Sequence, residues 1–258
     1  MNSLQGWRRG YLIRYLLDEN AQYAGTEIPD GEAEQRRLLR GLLNVREPAP
    51  ASKEFLAVQD EYLKEELRLK GITDYHDAER LGEHIYLWKG DITTLRCDVI
   101  VNAANSSLLG CRKANHLCID NCIHTYSGVQ LRLECAELIR RQGHPEPTGT
   151  AKITGAYNLP CRYVLHTVGP IVDGPLNREH KTLLADCYKS CLRTADEYEL
   201  GSIAFCCIST GVFGFPKQDA MCVAVDTVKQ YFRRSKRNMD VIFNVFSDED
   251  YFAYWNML

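Results

Sequence analysis

Three side chains with soft ligand atoms lie within eight residues of this chain: Cys111, His116 and Cys118. Thiolate and imidazole are ligands that zinc prefers in proteins. A structural zinc site usually has four protein ligands, so a set of three leaves one position for water or a substrate. The spacing therefore suggests an open site for one Zn²⁺ per chain, although eleven cysteines and seven histidines also allow a chance cluster.

The residues that follow this segment leave several roles open. Asp120 stands two residues beyond Cys118, where a carboxylate either caps a helix or acts as a general base or orienting group beside a metal. Cys122 is the nearest spare fourth ligand, which a closed structural site would need. His124 comes one helical turn after Asp120, and we expect it to be a packed core residue with a satisfied ring nitrogen.

Two other loops are chemically unusual. Asp91 follows a predicted strand and Gly90, where its carboxylate either accepts a hydrogen bond from an amine such as an adenine amino group or caps the next turn. The loop at 208–216 has small residues that let backbone N–H groups approach a phosphate, and a helix N-terminus adds positive potential. It lacks the P-loop lysine, and a plain strand-to-helix turn is the alternative.

The elements that position these loops alternate between strand and helix after residue 83. We predict strands at 84–88, 98–101, 162–168, 202–208 and 239–246, and helices at 119–140, 181–198, 216–232 and 248–257. This order predicts an α/β/α layered domain. In such a sheet, ligands bind at the loops beyond the carboxyl ends of the strands.

Residues 1–80 differ in composition from the rest of the chain: they are rich in Leu, Glu and Arg and contain no predicted strand. Amphipathic helices are predicted at 32–45 and at 52–70, the second capped by Ser52. We therefore expect a helical N-terminal extension over residues 1–80 and a main domain over residues 81–258.

Composition excludes several classes of protein. A formal charge of -3 argues against a broad nucleic-acid surface, and the basic run at 233–237 is interpreted as a solvated helix end. The chain has neither an apolar stretch of ~18 residues nor a secretory signal pattern. An odd number of cysteines, several within apolar patterns, indicates buried thiols and a reducing, cytoplasmic location.

Five segments, in order, resemble the macrodomain family, which binds ADP-ribose. They span about residues 82–257 and stand at 90–93, 101–110, 120–124, 165–170 and 209–216. The resemblance implies a three-layer α/β/α sandwich with a mixed central sheet. Any one segment is weak evidence, whereas five in sequence are specific.

One departure from the family pattern concerns the loop after Gly110. Typical hydrolytic macrodomains have a run of glycines there, whereas this chain has the insert that carries Cys111, His116 and Cys118. It thereby resembles a zinc-dependent subclass that also has a helical N-terminal extension. This likeness implies a zinc-dependent hydrolase that removes mono-ADP-ribose from modified protein side chains at the ribose C1″.

The resemblance also assigns roles to single residues. It places Asp91, Ile92 and Phe246 at the adenine, and Asn102 and Asn105 at the distal ribose. Asn105 and Asp120 become the catalytic candidates. Phe213 packs on the distal ribose, and the diphosphate lies against the backbone of Ser209, Thr210, Gly211, Val212 and Phe213.

Three other functions stay open at this point: a reader that binds ADP-ribose without cleavage, an O-acetyl-ADP-ribose deacetylase, and a domain with a structural zinc. The expected partners are an ADP-ribosylated protein substrate and ADP-ribose. By resemblance alone, the expected partners also include a sirtuin-type ADP-ribosyltransferase and a lipoyl-carrier protein. Neither a membrane nor a nucleic acid is expected.

Overall fold

The computed structural model describes residues 3–235 and 237–258, so Lys236 of the basic run lies outside the described residues. The helices are α1 (Ser3–Asp18), α2 (Glu32–Val45), α3 (Lys53–Lys70), α4 (Ile119–Ser127), α5 (Val129–Gln142), α6 (Arg178–Glu197), α7 (Lys217–Arg234) and α8 (Asp248–Trp255). The strands are β1 (Thr73–Asp74), β2 (Glu79–Arg80), β3 (Ile85–Lys89), β4 (Leu95–Arg96), β5 (Val99–Ala104), β6 (Ala151–Gly155), β7 (Tyr163–Val168), β8 (Ser202–Phe205) and β9 (Asp240–Val245).

The central sheet has the strand order β2-β3-β9-β8-β5-β7-β6. Its inner pairs are parallel, while β2 and β6 pair antiparallel at the two edges. The predicted mixed sheet is therefore confirmed. Parallel pairing brings the carboxyl ends of β3, β9, β8 and β5 to one side of the sheet, where the loops with the candidate residues begin.

Helices cover both faces of this sheet. Successive residues of a strand point to opposite faces, and on β7 His166 contacts Cys135 of α5, whereas Thr167 interacts with Cys187 of α6. Helix α6 packs against α7, which contacts α8. The predicted α/β/α layering is confirmed.

The first three helices form a bundle with its own apolar core. Leu12, Leu39 and Phe55 are among its fully or nearly fully buried side chains. Helix α3 begins as predicted, because the Ser52 hydroxyl accepts a hydrogen bond of 3.1 Å from the N–H of Phe55. The prediction of no strand before residue 81 is wrong: β1 and β2 have two residues each, too few to leave a periodic pattern.

Helix α1 and strand β6 are missing from the sequence prediction. Helix α1 has five basic or glycine positions that interrupt its apolar residues, at Gly6, Arg8, Arg9, Gly10 and Arg14. Strand β6 is only five residues long and half-buried at the sheet edge, so it lacks a continuous apolar run.

All eleven cysteines are free in the structure. Among the described helices, none is long and apolar enough to cross a membrane. At the end of α7, Arg233 and Arg234 are exposed to solvent, as the interpretation of a solvated helix end requires.

The prediction of a single helix at 119–140 is wrong, because Gly128 separates two helices, α4 and α5. This residue has φ 105°, which L-residues rarely adopt. A Cβ there would lie 2.7 Å from Gln59 Nε2 and 2.7 Å from Gln130 Oε1. These two atoms form a hydrogen bond of 2.7 Å, which joins α3 of the extension to α5.

Replacing Gly128 by alanine is expected to lower the free energy of unfolding by about 2 kcal/mol, because the positive φ is strained and the Gln59–Gln130 hydrogen bond is displaced. Urea unfolding measures this change. The matched control is Gly143→Ala, at φ 78° with no heavy atom within 4 Å of the new Cβ. Equal losses in the two variants would show that the contact with the extension contributes nothing.

Candidate active site

Two adjoining cavities lie beyond the carboxyl ends of the central strands. The first, named the metal-loop cavity because residues of the segment 111–118 line it, has a volume of about 550 Å³. The second, the Asp91 cavity, has a volume of about 470 Å³. Ile119 lines both cavities, so they form neighbouring parts of one cleft.

The cleft brings together nearly all the residues that the sequence predicted. The metal-loop cavity is lined by Asn105, Cys111, His116, Cys118, Asp120, Ser209, Gly211, Val212 and Phe213. The Asp91 cavity is lined by Asp91, Ile92, Thr210 and Phe246. Asn102 lines neither cavity.

Cys111, His116 and Cys118 converge within the segment 111–118, here called the metal loop. Their ligand atoms lie within 4.8 Å of one another, and Cys111 Sγ is 3.4 Å from His116 Nδ1. Burial and the neighbouring Cys111 raise the pKa of the Cys118 thiol to about 12, a cost that a bound cation offsets by favouring the thiolate. Two sulfur donors and one nitrogen donor at this separation fit zinc.

Cys122 does not belong to this ligand cluster. It lines the Asp91 cavity instead, and its sulfur lies 3.5 Å from Arg40 Nη2. Among the described residues, the cluster therefore has no fourth protein ligand of the kind that a closed structural site would need.

Asp120 is held by two asparagine side chains. Asn102 Nδ2 donates to Asp120 Oδ1 at 2.8 Å, and Asn105 Nδ2 donates to Oδ2 at 3.2 Å. Burial raises the pKa of Asp120 to about 6, although Asn102, Asn105 and the charge of Arg132 oppose this shift. The helix-cap alternative is not observed, because Cys118 occupies the N-cap position of α4. Asp120 thus has a pKa suited to proton transfer near neutral pH.

Asn102 lies within strand β5, which continues through Ala104, and its side chain is buried, with 0% exposure. The prediction that Asn102 lies in a loop facing a ribose is therefore wrong. The Asn102 amide also donates to His166 Nδ1 at 3.1 Å, and His166 Nε2 lies 2.9 Å from Thr154 Oγ1. A chain of hydrogen bonds therefore runs from Thr154 to Asp120, and Asn102 orients the carboxylate from beneath the cavity.

His124 is a core residue, as predicted, but its ring nitrogens are not satisfied. The residue is 4% exposed, and neither nitrogen has a hydrogen-bond partner among the described residues. Its Nε2 lies 3.7 Å from Asp120 Oδ1. Burial holds the pKa of His124 well below its usual value, and burial lowers the pKa of His166 to about 3. Both rings are neutral at physiological pH.

The neutral His166 predicts a pH dependence of stability. Between about pH 3 and 6.5 the unfolded chain binds a proton at this histidine and the folded chain does not, so stability falls as the pH is lowered. His166→Gln is expected to reduce the slope by up to about 1.4 kcal/mol per pH unit. The slope of unfolding free energy against pH is measured by urea unfolding in the presence of a chelator, at several pH values between about 3 and 6.5.

The control substitution is His144→Gln, which removes an exposed histidine. A slope that is the same in the wild type and in His166→Gln would show that His166 titrates normally in the folded state.

The loop after β8 has the compact backbone of a turn that leads into a helix. Ser209 has φ 64° and Gly214 has φ 70°. The N–H of Phe215 donates to the carbonyl of Ser209 at 3.0 Å, and α7 starts directly after Pro216. Val212 is 81% exposed at its tip. The loop therefore borders the cavity next to a helix N-terminus, which favours an anion.

In the Asp91 cavity, the capping alternative for Asp91 is observed. Its Oδ1 accepts hydrogen bonds from Thr93 N at 3.0 Å and from Thr93 Oγ1 at 2.6 Å. Its Oδ2 lies 3.3 Å from Lys70 Nζ. The Asp91 side chain is 40% exposed, and the residue also lines the cavity. Phe246 is 81% exposed at the rim.

Sequence reasoning missed the residues that the extension contributes to the cleft. Arg40 of α2 lines the Asp91 cavity together with Tyr126, and Lys70 Nζ lies 3.4 Å from the centre of the Tyr126 ring. Neither basic residue stands near a motif in the chain, so only the packing of the bundle could place them here.

Comparison with known proteins agrees with this geometry. A family profile described as "Macro domain" matches residues 101–224. A relative from Treponema medium, named "Protein-ADP-ribose hydrolase", is 56% identical over 96% of this chain and 96% of its own. The chain belongs to the macrodomain family. A Staphylococcus aureus (strain MSSA476) protein of the same name is 49% identical over 96% of this macrodomain chain and 93% of its own.

A solved structure extends this comparison. The Trypanosoma brucei macrodomain in complex with ADP-ribose superposes with a TM-score of 0.65 at 30% identity, over 81% of this chain and 91% of that one. The predicted macrodomain fold is thereby confirmed. The alignment with the Treponema relative covers 96% of this chain, so it includes most of the helical extension.

Proposed function

We propose that this macrodomain is a zinc-dependent protein-ADP-ribose hydrolase that removes mono-ADP-ribose from modified protein side chains. The observation that carries the proposal is a zinc-type ligand set and Asp120 on the wall of one cavity. The names of relatives that are 49–56% identical over nearly their whole length support the hydrolase assignment. The free cysteines are compatible with the proposed reducing, cytoplasmic location.

Substrate binding would use both halves of the cleft. The Asp91 cavity would take the adenine, with Asp91 accepting from the amino group, Ile92 beneath the ring and Phe246 at the rim. The loop of Ser209 to Phe213 would hold the diphosphate through its backbone. Asn105, Phe213 and the metal-loop cavity would receive the distal ribose. Binding energy from the adenine and the diphosphate would position the reacting carbon.

The proposed reaction is attack of water on C1″. A bond forms between the water oxygen and C1″, while the bond from C1″ to the acceptor atom breaks and the acceptor leaves with the electron pair. Asp120, oriented by Asn102 and Asn105, takes the proton of the water. When bound at Cys111, His116 and Cys118, zinc supplies Lewis acidity that lowers the pKa of a hydroxyl or water.

Two other functions would use the same cleft. A reader would bind ADP-ribose and release nothing from a modified protein, and a deacetylase would act on O-acetyl-ADP-ribose. The buried, doubly hydrogen-bonded Asp120 beside the metal loop favours an enzyme over a reader, because a reader does not need a carboxylate poised for proton transfer.

The test is an ADP-ribose release assay combined with metal analysis. Proteins modified at different acceptor residues, including a lipoyl-carrier protein, and O-acetyl-ADP-ribose are incubated with the protein. Release of ADP-ribose from at least one modified protein, with about one zinc per chain, is expected. Tight ADP-ribose binding without release would favour the reader, and turnover of O-acetyl-ADP-ribose alone would favour the deacetylase.

A further inference from the structure

The helical extension contacts the metal loop directly through α2. Arg40 Nη2 donates to the backbone carbonyl of His116 at 2.9 Å and to Asn121 Oδ1 at 2.9 Å. Its Nη1 donates to the Tyr126 hydroxyl at 3.1 Å. One guanidinium therefore binds the carbonyl of a metal ligand and two side chains of α4.

Asn121 carries this contact to the start of the loop. Its Nδ2 donates to the carbonyl of Cys111 at 2.9 Å and to that of Lys113 at 3.1 Å, and Asn121 is 0% exposed. Because Arg40 binds the other side of the same amide, Arg40 and Asn121 together hold the backbone at Cys111 and at His116.

A second residue of α2 holds the middle of the loop. Asn44 lies one helical turn after Arg40, on the same face of the helix. Its Oδ1 accepts a hydrogen bond of 2.9 Å from the N–H of Asn115, and its Nδ2 donates to Thr125 Oγ1 at 2.8 Å. Asn115 has φ 57°, a left-handed conformation that needs support from its surroundings.

Other contacts of the loop are few: Arg112 Nη2 donates to the carbonyl of Val45 at 3.0 Å and pairs with Glu47, and the N–H of His116 donates to the carbonyl of Lys113 at 3.1 Å. Residues 111–118 contain neither helix nor strand, and Leu117 at their end is 78% exposed. Ordering a loop costs conformational entropy, so a ligand set on such a segment binds metal tightly only when other groups fix its backbone in advance.

We propose that Arg40 is a positioning residue for the metal loop, and that the helical extension serves to hold the zinc ligands in binding geometry. This proposal rests on the proposed zinc-dependent function. Removal of the Arg40 guanidinium removes its hydrogen bonds to the His116 carbonyl and to the Asn121 side-chain amide. Loss of an outer partner of this kind typically weakens metal binding by about 10- to 100-fold.

The test compares Arg40→Ala and Arg40→Lys with Arg37→Ala, an exposed arginine on the same helix. Zinc dissociation constants are measured by competition with a chromophoric chelator, and amide hydrogen exchange of residues 111–118 is measured on the metal-free proteins. We expect zinc binding about 10- to 100-fold weaker in Arg40→Ala, a smaller change in Arg40→Lys, and faster loop exchange in both. Arg37→Ala should match the wild type.

Arg40→Lys keeps the charge and the apolar stem, so it tests the contact even where the alanine variant unfolds. Zinc constants and loop exchange equal to the wild type in the Arg40 variants would overturn the proposal. A wild type that binds no zinc, or that turns over fully without it, would instead contradict the proposed function, and loop exchange alone would then decide the role of Arg40.

Discussion

Replacement of Asp120 by alanine is expected to lower the turnover number by about 100- to 10,000-fold, the range that a positioned general base contributes. The carboxylate is the ionisable group that the two asparagines hold on the wall of the metal-loop cavity. Without it, the attacking water has no acceptor for its proton. Rates of ADP-ribose release under saturating substrate measure the loss.

Two readouts make this result specific. ADP-ribose affinity, measured by calorimetry, should change much less than turnover, because adenine and diphosphate lie on other loops. Asp219→Ala, which removes an exposed carboxylate paired with Lys181, should leave turnover unchanged. If Asp120→Ala retained the wild-type rate with intact zinc, Asp120 would not be the base.

The second large effect concerns the metal ligands. Cys118→Ser is expected to weaken zinc binding by more than about 100-fold and to abolish turnover, since a neutral hydroxyl is a far poorer zinc ligand than a thiolate. Zinc content after dialysis and the rate of ADP-ribose release give the two readouts.

Cys122→Ala is the matched control for that substitution. Cys122 lies on the first turn of α4, near the loop but outside the ligand cluster, so its removal should leave the zinc content unchanged. Loss of zinc in Cys122→Ala would instead indicate a closed structural site with four protein ligands. Retention of one zinc in Cys118→Ser would contradict the ligand set.

The sequence predicted the sheet because its inner strands are buried on both faces and form short apolar runs, as at Val99, Ile100 and Val101. The loops that follow these strands were predictable for the same reason, since parallel pairing places them at one edge. Residues that are close in the chain, such as Cys111 and Cys118, therefore line one cavity at that edge.

What the sequence could not show depends on contacts between distant segments. The helix break at Gly128 follows from packing against Gln59, 69 residues earlier in the chain. The inward orientation of Asn102 depends on where β5 ends. The sequence does not indicate that end, because a polar residue interrupts the apolar run from which the strand is predicted. Arg40 reaches the metal loop across 76 residues, and nothing in its local sequence distinguishes it from the exposed Arg37.

A titration of metal-free protein with zinc tests the central claim most directly. Chelator-treated protein, verified by metal analysis, receives zinc in steps while ADP-ribose release from a modified protein is followed. We expect the rate to start near zero, to rise in proportion to added zinc, and to level off at about one zinc per chain, as an open three-ligand site requires. Full turnover before any zinc is added would contradict the account.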